Sequence, residues 1–322
     1  MMGVLSFVVF VALQVALIPL AVLGVAVVGY KQILVSKRLG VSQTGIEVLN
    51  GRWTMHVFGM REDVATARLA NVLPNTSTFG LWLALIPLWV KYKLSGSYFG
   101  YPRVPEEGAE GISDLVVART LYFDRIIERV VGDTEQFILL GAGYDTRAYG
   151  PLKREGIAFF ELDQAPTQRL KISCLSKGGI DADHVTFVEV DFAEEDAFEK
   201  LEAAGYDPSK RTLFLWEGVS LYLTEQDVRK TLRNVRDHAA SGSVLVADIY
   251  GDRFMQMAGG VMAKKTLEYT DEGLGFGLPF EADHTQSLAR FLESEGLTQG
   301  ETLFMGTTHE KGPYMVVVEC SV

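Results

Sequence analysis

Residues 136–147 read Gln-Phe-Ile-Leu-Leu-Gly-Ala-Gly-Tyr-Asp-Thr-Arg. An apolar run of strand length that stops at Gly-Ala-Gly and passes straight into a polar cluster behaves like a buried parallel strand reaching a ligand. Gly141 and Gly143 have no Cβ, so the backbone there can turn tightly and be approached closely. The same ending also occurs in plain βα turns, so the surrounding chain has to decide. Further strands are predicted at 157–160, 185–190, 212–216 and 244–249, and helices at 167–176, 197–203 and 225–239, with a short one near Thr146. Repeated strand-then-helix periodicity with short links dictates an α/β fold, a doubly wound and mostly parallel sheet with helices on both faces. Two last strands, near 298–304 and 314–319, make the sheet seven-stranded. Between them and the fifth strand, the Met-rich stretch 253–270 and the glycine-rich loop 271–279 form a lid around 251–285. Met255, Met257 and Met262 there serve either as core filler or as a substrate wall.

The other end of the chain obeys a different rule. From Val4 to Val28 no residue is charged, and only Ser6 and Gln14 interrupt the apolar run. A spanning helix needs roughly 20 such residues, so residues 1–30 are expected to form a transmembrane helix. Basic residues follow it, which puts the body of the protein on the cytoplasmic side. Between Lys31 and Arg103 nine basic residues stand against three acidic ones, within a chain of formal charge −11. This basic juxtamembrane region, 31–103, contains a second apolar stretch, residues 79–93, with Pro87, Trp82 and Trp89. It reads as an interfacial or re-entrant helix, with a two-helix hairpin as the rival. A short amphipathic helix is expected over 61–73, and the Pro-, Gly- and Glu-rich stretch 101–111 as a linker to a catalytic domain, 104–322. The domain's acidic balance argues against nucleic acid as partner, because phosphate contacts need clustered Lys and Arg. The two cysteines, Cys174 and Cys320, give no disulfide framework, and no His/Cys set has metal-ligand spacing.

In a doubly wound sheet, ligands bind beyond the C-terminal ends of the strands. Here those ends are polar or glycine in succession: Gly141-Ala142-Gly143, Glu161-Leu162-Asp163, Asp191-Phe192 and Trp216-Glu217-Gly218. One acidic strand end would be an ordinary helix cap; four together point to a small-molecule site. A dinucleotide fingerprint needs a third glycine where Thr146 stands, and Asp145 would repel a diphosphate. A cationic cofactor without phosphate tolerates Asp145, Asp163, Asp191 and Glu217 together, and S-adenosyl-L-methionine is one. Its carboxylate needs a cation, for which Arg119, on the helix predicted over 112–131, is the candidate. That helix is expected to bury Leu115, Ala118, Tyr122, Ile126 and Val130.

The segments Ala118-Arg119-Thr120-Leu121-Tyr122-Phe123-Asp124, Leu140 to Arg147, Phe160 to Gln164 and Trp216 to Thr224 resemble the leucine carboxyl methyltransferase family. The resemblance runs from about Ser113 to Val322 and is nearest to the family's bacterial S-adenosylmethionine-dependent branch. It implies a class I methyltransferase, a Rossmann-like fold. By resemblance, Arg119 holds the methionine carboxylate, Gly141 and Gly143 line the methionine portion, and Asp163 takes the ribose. Asp191 and Phe192 take the adenine, and Glu217 lies near the amino group. The soluble members lack the 31–103 region.

The expected reaction is O-methylation of a carboxylate on an amphiphilic or membrane-associated substrate, small-molecule or lipid-like. An ionised carboxylate needs no general base, and no His or Lys is placed as one. A protein C-terminus stays open as acceptor. Tyr222, Arg253 and His309 are candidate acceptor contacts. A membrane-bound NAD(P)-dependent oxidoreductase and a non-catalytic membrane scaffold are the competing readings.

Overall fold

The computed structural model describes residues 2–154, 156–192, 194–258, 273–280 and 283–322. Seven strands, β1 (Gln136–Leu140), β2 (Ala158–Asp163), β3 (Val185–Glu189), β4 (Thr212–Trp216), β5 (Val244–Tyr250), β6 (Thr298–Met305) and β7 (Met315–Ser321), form one sheet. Their order is β3-β2-β1-β4-β5-β7-β6. The first five are parallel, in registers such as Leu140 with Leu162 and Trp216 with Ala247. β7 runs antiparallel between β5 and β6. The expected doubly wound, mostly parallel seven-stranded architecture is therefore what the chain adopts. β1 and β2 part from β4 and β5 at the centre, which makes the C-terminal ends of β1 and β4 the switch point.

Alternation along the strands sorts side chains to two faces. Ile138, Leu140, Phe214 and Trp216 meet α8 (Ala197–Ala203), α9 (Glu225–His238) and α11 (His284–Ser294) through Phe198, Val228, Leu232 and Leu292. Phe137, Leu139, Leu213 and Leu215 meet α6 (Leu115–Val130) through Phe123, Ile126 and Ile127. Fully burying side chains of this size is worth about 1.5–3 kcal/mol each, so the two faces carry the stability of the body. The buried arc of α6 differs from the stripe expected from sequence. Leu115, Tyr122 and Val130 are only half-buried, while Val117, Arg119, Thr120 and Phe123 are inside. The reason is packing from a second side: a Cβ on Gly51 of α3 would come within 2.4 Å of Val116 on α6.

The N-terminal helices build a further layer. α1 (Met2–Gly29) continues through a π-turn, Tyr30–Val35, into α2 (Ser36–Leu39), which Gly40 ends at φ +63°. α3 (Gln43–Val57) starts at Ser42, whose hydroxyl accepts from Gly45 N at 2.9 Å. α4 (Val64–Val72) starts at Asp63, which accepts from Thr66 N at 2.8 Å. α5 (Thr78–Ser95) packs along α1 on one side and against α3 and α4 on the other. The helix over 61–73 is thus shorter than expected, and the one near Thr146 is a single 3₁₀ turn, Arg147–Tyr149. α7 (Ala165–Lys177) follows β2 and packs on α4.

The stretch 101–111 is not a free linker. Glu110 is buried and accepts from Tyr122 OH, Gly108 N (3.0 Å) and Gly306 N (2.9 Å), tying the segment to the β6–β7 turn. Residues 259–272 and 281–282 of the expected lid, and Met262 with them, lie outside the described residues. Within them, α10 (Asp252–Ala258) carries the half-buried Met255 and the exposed Met257, and Phe276 and Leu278 are buried against the sheet.

Candidate functional site

Each strand end delivers its expected residue to the same edge of the sheet. Gly141 turns at φ +73°, and its N–H and that of Ala142 donate to Leu162 O at 2.9 and 2.8 Å. A Cβ on Gly141 would lie 2.5 Å from Val219 Cγ2, so glycine is required there twice over, by conformation and by space. Gly143, at φ +47°, faces open space and donates to Asp163 Oδ2 at 2.5 Å. Asp163 Oδ1 accepts from Gln164 N, and burial raises its carboxyl above the usual range. Asp191 and Phe192 follow β3, both half-buried. Beside Phe192 is a small cleft lined by Leu140, Ala197, Phe198 and Thr231.

At the centre, three buried guanidiniums face three buried carboxylates. Arg52 reaches in from α3 and splits its fork between Asp145 Oδ2 and Glu217 Oε2, 2.8 Å from each. Arg147 pairs with Asp145, with Glu217 Oε2 at 2.7 Å and with Asp124 Oδ1 at 2.7 Å. Arg119 donates to Asp248 Oδ2 at 3.2 Å and to Tyr250 OH at 2.5 Å, and its Nε stands 3.3 Å from Glu217 Oε1. Asp248 in turn accepts from Gly218 N at 2.9 Å. Outside this set Arg61 bridges Asp124 and Asp63, and Thr146 Oγ1 donates to Asp63. Helices α3 and α4 thereby cap the end of β1. Asn75, between α4 and α5, adds a further tie by donating to Ser36 Oγ (3.0 Å) and Tyr144 OH (3.3 Å).

The electrostatics follow from burial. Desolvation alone would raise both Asp145 and Glu217, but Arg147 and Arg52 hold Asp145, and Arg52, Arg147 and Arg119 hold Glu217, below the usual carboxylate range. For Asp248 burial wins over Arg119, and its pKa is pushed up to about 6. Four buried atoms of this cluster make no hydrogen bond: Arg52 Nε and Arg147 Nη2, and the mutually ion-paired Arg119 Nε and Glu217 Oε1, 3.3 Å apart. Buried polar atoms without a hydrogen bond are rare and costly, and here two donors, Arg52 Nε and Arg147 Nη2, and the long Arg119–Glu217 pair gather at one sheet edge.

Arg119, Gly141, Gly143, Asp145 and Glu217 thus meet, with Asp163 against the Gly143 backbone and Asp191 and Phe192 one strand farther out. Of the candidate acceptor contacts, Arg253 and His309 do not gather with them. Arg253 donates to Gly306 O and Gly312 O and lies over the Tyr314 ring, so its guanidinium holds the β6–β7 turn. His309 is exposed, its Nδ1 accepting from Lys311 N. Tyr222 closes the 3₁₀ turn Ser220–Tyr222 directly after Glu217 and Gly218. Sequence reasoning missed Arg52, Arg147 and Asp248 as members of the cluster, and Asp124 as Arg147's partner at its edge. A signal existed for Asp248, an acid in the otherwise apolar strand Val-Leu-Val-Ala-Asp-Ile-Tyr. Arg52 carries none, since it is one of several charges in the N-terminal region.

The leucine carboxyl methyltransferase family model matches residues 89–236. A Bacillus subtilis protein named as a candidate S-adenosyl-L-methionine-dependent methyltransferase is 29% identical over 191 residues, 58% of this chain and 62% of the relative. Similarly named proteins match from Streptomyces avermitilis, at 35% over 135 residues (41% of this chain, 47% of the relative), and from Streptomyces coelicolor. The latter is 29% identical over 229 residues, 66% of this chain and 78% of the relative. The chain thus spans 62% and 47% of the length of the first two. The crystal structure of a DUF574 family protein from Streptomyces avermitilis superposes with a TM-score of 0.46 at 14% identity, covering 64% of this chain and 83% of that one. Residues 89–236, with the Arg119, Gly141–Arg147 and Glu217 segments within them, are thus similar to the leucine carboxyl methyltransferase family.

Proposed function

We propose that the protein is an S-adenosyl-L-methionine-dependent methyltransferase that O-methylates a carboxylate on an amphiphilic, membrane-associated substrate. The observation that carries the cofactor assignment is the neutral cluster of three arginines and three carboxylates with four atoms that make no hydrogen bond at the sheet's switch point. Its chemistry fits an amino-acid zwitterion. Arg52 Nε and Arg119 Nε supply donors for a carboxylate, and Glu217 Oε1 supplies an acceptor for an ammonium. Asp163 keeps lone pairs for ribose hydroxyls after serving Gly143 and Gln164, and the cleft beside Phe192 suits an adenine ring. In this reading Asp145 positions Arg52 and Arg147 and does not touch the cofactor.

When bound, the cofactor supplies an electrophilic methyl group on a sulfonium. The chain's own part is to hold the acceptor in line with it and to keep out water, which is how methyl transfer to an already ionised oxygen is accelerated. Tyr222, beside Glu217 and Gly218, is the residue we assign to the acceptor; Arg253 and His309 are given no role. Residues 104–322 form the catalytic unit, capped by α3 and α4 from the 31–103 region, and α1 keeps it at the cytoplasmic face of a membrane. The apolar length of α1 and the basic balance after it support membrane association through an anionic leaflet.

Thermal stabilisation by S-adenosyl-L-homocysteine tests the cofactor, and its absence in the parent protein sinks the reading. Incubation of membrane and soluble extracts with a methyl-labelled donor tests the acceptor: a base-labile product supports a carboxyl ester, and a base-stable ether refutes it.

A further inference from the structure

We propose that the α1–α5 layer docks in the plane of an anionic cytoplasmic leaflet, with the outer face of α1 immersed, and that α1 does not cross the bilayer. This rests on the membrane association proposed above and is independent of the methyl-transfer chemistry. α1 carries one stripe turned inward: Ser6 and Gly24 are buried, and Phe10, Leu13, Leu17 and Ala21 are half-buried. The opposite face, apart from Gln14, is apolar and open, with Val8 57%, Val15 64% and Val22 65% exposed. An apolar face of this length requires an apolar cover.

What decides the orientation is the second side of α5. α1 and α5 run antiparallel in close contact, the backbones meeting where a Cβ on Gly24 would lie 2.5 Å from Gly80 O. Toward the other end Phe7 and Phe10 pack on Phe99, just past α5, at 5.5 and 5.3 Å. Along the same length α5 is fixed to the body: Trp82 packs on Trp53 at 5.5 Å, and Tyr92 on Phe58 at 5.7 Å. α1 therefore lies along the body, at a distance of about one helix diameter, roughly 10 Å.

The register makes the same point with charge. Counting from the Gly24–Gly80 crossing, Lys91 stands level with Leu13 and Lys93 level with Val11. Were α1 to span, the exposed Lys93 ammonium would face the hydrocarbon, with α3 at the same depth behind it, which is strongly unfavourable. Lys91 is buried and donates to Ser97 O at 2.9 Å. Laid flat, the same residues fall at headgroup level. Lys93, exposed over the Trp89 and Tyr92 rings, the half-buried Lys37 and the exposed Arg38 then edge the apolar face with positive charge. No acidic residue precedes Glu47, so this edge complements anionic lipid. An amphiphilic acid in that leaflet would carry its own carboxylate at the same level as α3, the helix that bears Arg52.

Nitroxide labels on Val8→Cys, Val15→Cys and Val22→Cys, spaced seven residues apart on the open face, test this in the full chain. Cys174 and Cys320 are buried and leave the introduced thiols as the reactive ones. In phosphatidylcholine vesicles containing phosphatidylglycerol, the three labels should report one shared, shallow depth of about 5–10 Å. A depth that peaks at Val15→Cys and falls toward both ends would overturn in-plane docking while keeping the membrane reading. Three water-exposed labels would overturn the membrane association itself. Vesicle binding should weaken without phosphatidylglycerol and in Lys93→Gln/Arg38→Gln; binding indifferent to both would overturn the anionic-leaflet assignment.

Discussion

The α1–α5 layer and the strand-end cluster break opposite rules of folding. The first leaves apolar side chains outside; the second puts six charged side chains inside. Each breach is local, and each falls where a partner is expected, bilayer on one side and zwitterion on the other. The two also differ in how they are specified. The outer face of α1 needs only to be apolar, so most single changes there are tolerated. The cluster needs particular charges at particular places, because a buried charge without its partner is costly.

Glu217 tests this most severely, since it faces Arg52, Arg147 and Arg119 at once. Glu217→Ala should cost about 3–5 kcal/mol in denaturant unfolding and abolish stabilisation by S-adenosyl-L-homocysteine. A change of matching size in the layer, Val15→Gln, should leave unfolding and cofactor response as they are and weaken vesicle binding alone.

Asp248 gives a pH signature of about 3 kcal/mol. Its folded pKa is about 6 against an unfolded reference of about 3.9, so between those values the folded chain binds more protons than the unfolded one. This group's contribution to stability therefore falls as pH rises from about 4 to 6. Asp248→Asn, which stays neutral, should gain stability relative to the parent across that window and stay level with it below. A difference that is flat with pH would remove Asp248 from the buried set.

The smallest effect is at a join between the two regions. Asp63 caps α4 and accepts from Thr146. Asp63→Asn, which keeps a capping oxygen, should cost about 1–2 kcal/mol, chiefly through Arg61 and Thr146. If it also weakens S-adenosyl-L-homocysteine binding, the cap over β1 is part of the site; if it does not, the cap is structural.

The strand ends were legible because each is a local pattern, an apolar run that stops in glycine or acid. Arg119 was legible from its place on the helix before β1. The partners were not, because the pairs Arg52–Glu217 and Arg119–Asp248 join residues 165 and 129 positions apart, and no periodicity encodes such a pairing. The face of α6 was misjudged for a related reason: a helix packed from two sides buries a wider arc than one apolar stripe declares. Arg253 looked like a ligand contact because a lone arginine near a Met-rich stretch says nothing of the turn carbonyls that occupy it.

Arg52 also sets the order in which the protein can be finished. It is made early, on α3, yet both carboxylates it bridges come later, and Glu217 only after β4 has been synthesised. Contacts this distant close late, after local helices have formed and while the chain already has its N-terminal part in place. The pocket is therefore among the last parts to lock, and a nascent chain halted before β4 holds a docked N-terminal layer with no site to serve.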